Sequence, residues 1–342
     1  MVHLITGGSG FLGNLITRRL LDSGENVKVL DIWKDENHPS DVEFINCDIR
    51  DRDKVASAMK NVDIVHHNVA LVPLSKSGRE FWEVNVLGSQ IAAEEALRAG
   101  VQGFIHMSSS ALYGAVEKFP ITEDTPLKPI EIYGEAKLAG EQAVNATFND
   151  VDIPLIVIRP RTILGEGRLG IFQILFDWIR DNINVYVIGS GEVKFQFVHA
   201  HDLMDAYMLS YNNGKSGIYN VGTNKFGTLR GVLEKTIAHA NSSSKVKSLP
   251  IIPTIGTLKL LDWLKVSPLA PWHYLTYHKE FYFDLDPLIK LGWSPQYSNN
   301  QMFRESYDWF INNLESIKWN EKTSAHRKPV KEAMLKVVRW LS

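Results

Sequence analysis

The chain has 342 residues, 44% of them apolar, enough to bury one large core or two unequal ones. Its 37 Lys and Arg against 39 Asp and Glu leave a formal charge of −2, which excludes a broad basic field for nucleic acid. Cys47 stands alone, so no intrachain disulfide can form, and a reducing, cytoplasmic setting is expected.

Residues 1–6 run straight into Gly7 and Gly8, leaving no room for a basic and then apolar leader, so secretion is not expected. No stretch approaches 18 consecutive apolar residues, and no transmembrane segment is predicted. Residues 2–6 read as a first strand, residues 11–23 as a helix and residues 27–30 as a second strand. Further strands are predicted at 62–66, 104–107 and 155–158, with helices around 79–99 and 131–147. This alternation implies right-handed βαβ units: an α/β, Rossmann-type, doubly wound parallel sheet with a smaller C-terminal substrate-binding lobe. The expected division is 1–160 for the sheet domain and 161–317 for the lobe, with some segments returning to the core. The lobe is predicted to add strands at 185–188 and 195–198, with a polar break at 241–244.

Gly7, Gly10 and Gly13 in Thr-Gly-Gly-Ser-Gly-Phe-Leu-Gly follow the first strand directly and open the first helix. Such a turn lets the backbone approach a pyrophosphate, and the helix N-terminus supplies unpaired N–H donors. Gly165, Gly167 and Gly170 spell the same spacing, but no strand and acidic residue accompany them in the expected places. Asp31 ends the second strand 18 residues beyond Gly13, where a carboxylate accepts from a ribose diol. A 2′-phosphate there would meet like charge, and no Arg is adjacent, so NAD is expected over NADP. Asp48, after a third strand, is a candidate for the adenine edge.

Tyr133 and Lys137 stand four apart, on one face of a predicted helix. A free phenol has a pKa of about 10, so a base active near neutrality needs a shift of roughly 3 units, about 4 kcal/mol. A nearby ammonium and an oxidised nicotinamide together can supply it. Tyr211 and Lys215 repeat the spacing, but in a loop context. What distinguishes Tyr133 is Ser108-Ser109-Ser110 upstream, at the carboxyl end of the 104–107 strand, where ligands bind in such sheets. Ser109 is assigned to the substrate oxygen and Ser108 to the cofactor side. His66, His67, His199 and His201 lack an evident third ligand or cysteine cluster, so no metal site is predicted.

In this order, the glycine turn, Asp31, Asp48-Ile-Arg-Asp51, Asn85-Val-x-Gly88, Ser108-Ser109-x-x-Leu-Tyr-Gly114, Tyr133-x-x-x-Lys137, Arg159-Pro160 and Leu291-Gly-Trp-Ser-Pro295 resemble the extended short-chain dehydrogenase/reductase superfamily. The branch is the NAD-dependent epimerase/dehydratase family, and the resemblance spans about residues 2–315. It implies that Tyr133 is the general acid/base, that Ser109 orients the substrate hydroxyl and that Lys137 fixes cofactor and phenol. Cofactor contacts are implied at Gly7, Gly10, Phe11, Leu12, Gly13, Asp31, Asp48, Ile49, Ala70, Asn85, Ser108, Tyr133, Lys137 and Pro160. Most relatives act on nucleotide sugars, and many form homodimers.

The chain departs from the family in three respects. Ser110 and Ala111 stand where 4,6-dehydratases carry two acids and decarboxylases a Glu, which leaves a 4-epimerase or a simple carbonyl reductase. Thr162 and Phe195 replace the Asn and Arg that often hold a sugar-nucleotide diphosphate. Ser110, Arg161, Thr162, Arg168 and Lys194 are the candidate substrate contacts in their place. These departures leave open an alternative similarity to 3β-hydroxysteroid dehydrogenase-like enzymes with apolar substrates, and a non-catalytic NAD-binding regulator is the alternative of another class. Residues 318–342 are expected to add a basic amphipathic helix, packed on the protein or a partner or lying on a membrane surface.

Overall fold

The computed structural model describes residues 1–315 except 76, 265, 266 and 268; the predicted 318–342 helix lies outside the described residues. Strands β1 (Val2–Thr6), β2 (Asn26–Asp31), β3 (Glu43–Asn46), β4 (Ile64–His67), β5 (Gly103–Met107), β6 (Leu155–Pro160) and β7 (Gly217–Val221) form one sheet in the order β7-β6-β5-β4-β1-β2-β3. Every neighbouring pair is parallel. Strands covered on both faces carry apolar side chains in near-continuous runs, which is why they read so plainly in the sequence. Leu4 and Ile5, Val29 and Leu30, and Phe104 and Ile105 each send their two side chains into different core clusters, one on each face.

Helices α1 (Phe11–Asp22), α2 (Arg52–Ala58), α3 (Gly88–Ala99) and α4 (Ile132–Phe148) follow the first-half strands. The helix predicted around 79–99 is not uniform: a π turn over Glu83–Leu87 precedes α3 and buries Asn85. Glu131 caps α4 by accepting from the backbone N–H groups of Tyr133 and Gly134, at 2.9 and 2.7 Å.

The second half includes α5 (Phe172–Arg180), α6 (Ala200–Asn213), α7 (Leu229–His239), α8 (Ile251–Trp263), α9 (Pro271–Thr276), α10 (Asp286–Lys290) and α11 (Asn299–Asn312). The strand expected at 185–188 forms, pairing in parallel with Val246–Leu249 across the polar 241–244 connection. The one expected at 195–198 divides in two. Lys194–Phe195 pairs with Gly227–Thr228, and Val198–His199 with Ile163–Leu164. Strand β7, preceded by α6, joins the main sheet beside β6, so the second half of the chain also supplies a strand of the Rossmann core. Helix α8 buries none of its side chains. Among the described residues no helix is long and apolar enough to cross a membrane.

Candidate active site

A cavity of about 1000 Å³ opens at the carboxyl ends of β1, β4, β5 and β6, beside the switch point between β1 and β4 where the strand order reverses. Gly7, Gly10, Phe11, Leu12 and Gly13 form its floor. A Cβ on Gly13 would stand 2.1 Å from the Gly7 carbonyl oxygen, so only glycine lets α1 start this close to the end of β1. No side chain caps the first turn of α1. The first N–H groups of a helix have no intrahelical partner, and such donors are what a dinucleotide pyrophosphate requires.

Asp31 lines the same end and accepts from the backbone N–H groups of Ser9 (3.1 Å) and Ile32 (2.7 Å). Burial pushes its carboxyl up to about 6, against the pull of those donors. Asp48, Ile49 and Ala70 also line the cavity, but the Asp48 carboxylate is held by Arg50 at 2.6 Å and lies below its usual range for that reason. Asn85 does not reach the cavity. It is buried behind it, where its amide accepts from Leu71 N–H and donates to Leu71 C=O, bracing the loop after β4.

At the other end the structure brings Ser109, Tyr133 and Lys137 together. Burial pushes the Tyr133 phenol up, and the nearby Ser109 hydroxyl opposes that shift. Lys137 Nζ donates to the Met107 carbonyl at 2.7 Å, and burial draws its ammonium down to about 8 while Glu141 works against that shift. The charged groups that act on the phenol are Glu131, which raises it, and Arg168, which lowers it. One of the three donors of the ammonium that the sequence reading paired with Tyr133 is thus spent on the end of β5.

Ser108 lines the wall, yet its hydroxyl donates to Glu141 at 2.5 Å. Glu141 forms a buried ion pair with Arg159, which donates to Tyr113 Oη (2.8 Å), which in turn donates to Asn220 (2.9 Å). Sequence reasoning missed Glu141, although it follows Tyr133 and Lys137 at the same four-residue interval on α4.

Pro160, Ser110, Arg161, Thr162 and Arg168 line the cavity beyond the phenol. The Arg161 guanidinium is turned into an aromatic cage 3.9 Å from the Phe281 ring centre, donating to Gln196 C=O and Ser110 Oγ. Phe195, which stands at the family's arginine position, is part of that cage. Lys194 lies outside the cavity, with Nζ 5.9 Å from the Tyr282 ring centre, because its strand faces it toward solvent. Trp272, His273 and Tyr277 close the wall from α9 and the residue after it, a contribution with no local signal in the sequence. His199 caps α6, stacks on Tyr297 at 3.6 Å and is lowered by burial to about 4.

Residues 3–222 match the sequence profile of the NAD dependent epimerase/dehydratase family. An uncharacterized protein of Sinorhizobium fredii is 41% identical over 98% of this chain and 85% of its own length. The mouse sterol-4-alpha-carboxylate 3-dehydrogenase, decarboxylating, is 32% identical over 60% of this chain and 58% of its own. Among solved structures, the UDP-glucose 4-epimerase of Thermotoga maritima with UDP-glucose superposes with a TM-score of 0.77 at 22% identity. That match covers 92% of this chain and all of the other. A profile match over well more than half of the chain, at the turn and phenol just described, settles the assignment: the chain belongs to the NAD dependent epimerase/dehydratase family.

Proposed function

We propose that this chain is a nucleotide-sugar epimerase that inverts a secondary carbinol, most simply at the 4-position of the sugar. The observation that supports the reading is that Ser109, Tyr133 and Lys137 line one end of a cavity whose opposite end is the uncapped start of α1. NAD, when bound, supplies the acceptor and donor of the hydride. The glycine turn would hold its pyrophosphate, Asp31 its adenosine ribose, and Lys137 its nicotinamide ribose. Tyr133 Oη takes the proton of the substrate hydroxyl and later returns it, while Ser109 Oγ keeps that oxygen in line. Ala111, buried beside Ser110, leaves no acid where water elimination or decarboxylation would require one. Incubating the protein with NAD and a panel of UDP-, GDP-, CDP- and dTDP-sugars is expected to yield interconverted epimers without net NADH. Inactivity across the whole panel sinks the proposal.

A second reading, net oxidation of an apolar alcohol, is supported by the wall of Ile171, Phe172, Trp272 and Tyr277 and by the 32% identity to the sterol carboxylate dehydrogenase. Stoichiometric NADH release from a sterol or similar alcohol distinguishes it, since an epimerase recycles its hydride.

A further inference from the structure

Helix α8 turns an apolar face to solvent. Ile252, Leu260, Trp263 and Leu264 are 86%, 55%, 77% and 51% exposed. With Ile251 they make up five of the eleven large apolar side chains exposed among the described residues. At helical spacing Ile252, Leu260 and Trp263 project from one side, with Pro253 and Gly256 between them, and Lys259 is the one charged residue exposed on the helix. Thr254, Ile255, Leu258, Leu261 and Asp262 are half-buried, and α8 packs against α9. A surface helix ordinarily shows its polar residues to water. Single exposed apolar residues need no explanation, but a contiguous patch of them marks a site of association.

The charges around this face select its partner. From residue 245 to residue 264 the exposed ones are Lys245, Lys247 and Lys259, all positive, while the one acid, Asp262, is half-buried. The chain as a whole carries −2, so this cationic patch is local. A second copy would bring like charges together across a two-fold axis. A helix of 13 residues also offers a face only about 20 Å long and about 10 Å wide, far short of the roughly 800 Å² per partner in a stable dimer. The chain after residue 315 has seven Lys or Arg against two Asp or Glu, so it is repelled from the patch as well. An anionic lipid surface meets both features without a shaped partner. Its acyl boundary takes apolar side chains, its headgroups attract lysines, and an indole at the end of the helix suits the zone between them. The same helix leads into α9, whose Trp272 and His273 line the cavity.

We infer that α8 docks the protein on an anionic membrane surface, with Ile252, Leu260 and Trp263 entering the acyl boundary and Lys245, Lys247 and Lys259 facing the headgroups. The inference is independent of the reaction and its substrate. It is tested on the full chain by co-sedimentation with two kinds of vesicle, phosphatidylcholine alone and an equal mixture of phosphatidylcholine and phosphatidylglycerol. The protein is expected to bind the mixed vesicles about tenfold or more tightly than the neutral ones, and to be released by salt. Ile252→Ser/Leu260→Ser/Trp263→Ser should weaken binding to the mixed vesicles by about tenfold or more. Lys245→Gln/Lys247→Gln/Lys259→Gln should lower it by a similar factor and remove most of the salt dependence. The replaced side chains are exposed, and retained NAD binding certifies that each variant is folded. Wild-type protein that stays in the supernatant with both kinds of vesicle overturns the inference. So does a serine variant that sediments like wild type, since the cationic residues after 315 then carry the binding. A concentration-dependent dimer that the serine variant abolishes, with no binding to vesicles, overturns it in favour of a second copy.

Discussion

The Lys137 ammonium donates to the Met107 carbonyl oxygen at 2.7 Å, tying α4 to the end of β5 at the point where Ser108 and Ser109 begin. Replacing Lys137 by Met removes that tie and the charge expected at the nicotinamide ribose. Turnover is expected to fall by about 10²-fold or more, with weaker NAD binding. Thermal stability should change little, because a buried ammonium held at some cost is lost along with its hydrogen bond. Steady-state kinetics, NAD titration and a melting curve check the three parts, and unaltered turnover contradicts the assignment.

Asp31 predicts how NAD affinity depends on pH. Its carboxyl sits at about 6 in the free protein because it is buried, and donors on a ribose diol favour the ionised form. Above pH 6 the carboxylate is ready. Below it a proton must be displaced, so affinity is expected to fall by up to about tenfold per pH unit until the pKa of the bound state is reached. Calorimetric titrations between pH 5 and 8 measure this slope. Asp31→Asn should bind weakly and lose the dependence, whereas a flat wild-type profile removes Asp31 from the ribose site.

The Glu141 and Arg159 pair is almost wholly buried, with 2% and 3% of the respective side chains exposed. Glu141→Leu leaves the guanidinium without its counter-charge and frees the Ser108 hydroxyl. A loss of about 3–5 kcal/mol is expected by urea denaturation, with Glu141→Gln losing less. Equal stability of Glu141→Leu and wild type contradicts the role given to the pair.

A row of buried imidazoles makes the fold sensitive to acid. Thr6 Oγ1 and Ser89 Oγ bond the two ring nitrogens of His67, on which His106 stacks at 5.5 Å. On the opposite face His66 bridges His3 and Tyr207. Burial lowers His67 to about 3 and puts His66 and His106 well below the ordinary value of 6.5. Above pH 6.5 folded and unfolded chains are both neutral at these sites. As pH falls from 6.5 toward 3, the unfolded chain takes up protons that the folded one refuses. Each histidine then removes up to about 1.4 kcal/mol of stability per pH unit. Neither ring nitrogen of His106 has a hydrogen-bond partner, so His106→Leu is expected to add about 1 kcal/mol at pH 7 and to flatten the acid slope. Urea titrations at pH 5 and 7 test both effects, and a destabilised His106→Leu protein with an unchanged slope contradicts them.

Strands β1, β2, β5 and β6 were legible because strands buried on both faces leave contiguous apolar runs. Strand β4 begins two residues later than the run suggests, after Asn61 turns the chain at a φ of +56°. Strand β7 escaped notice: its run is interrupted by the buried Asn220, and it is defined by pairing with β6. Lys194 was misplaced for a related reason. A residue's distance from a motif along the chain does not say on which side of a two-residue strand its side chain emerges.

By itself, the order of residues determined the glycine turn, the acid that ends β2, and the serine, tyrosine and lysine set, because each obeys a local rule of turn geometry or helical spacing. Only the tertiary structure decided that Lys137 bonds the backbone, that Arg161 sits over the Phe281 ring, and that Trp272 and Tyr277 close the cavity wall. Those contacts join segments far apart in the chain. They depend on how helices settle against the sheet, and no periodicity within a segment encodes that.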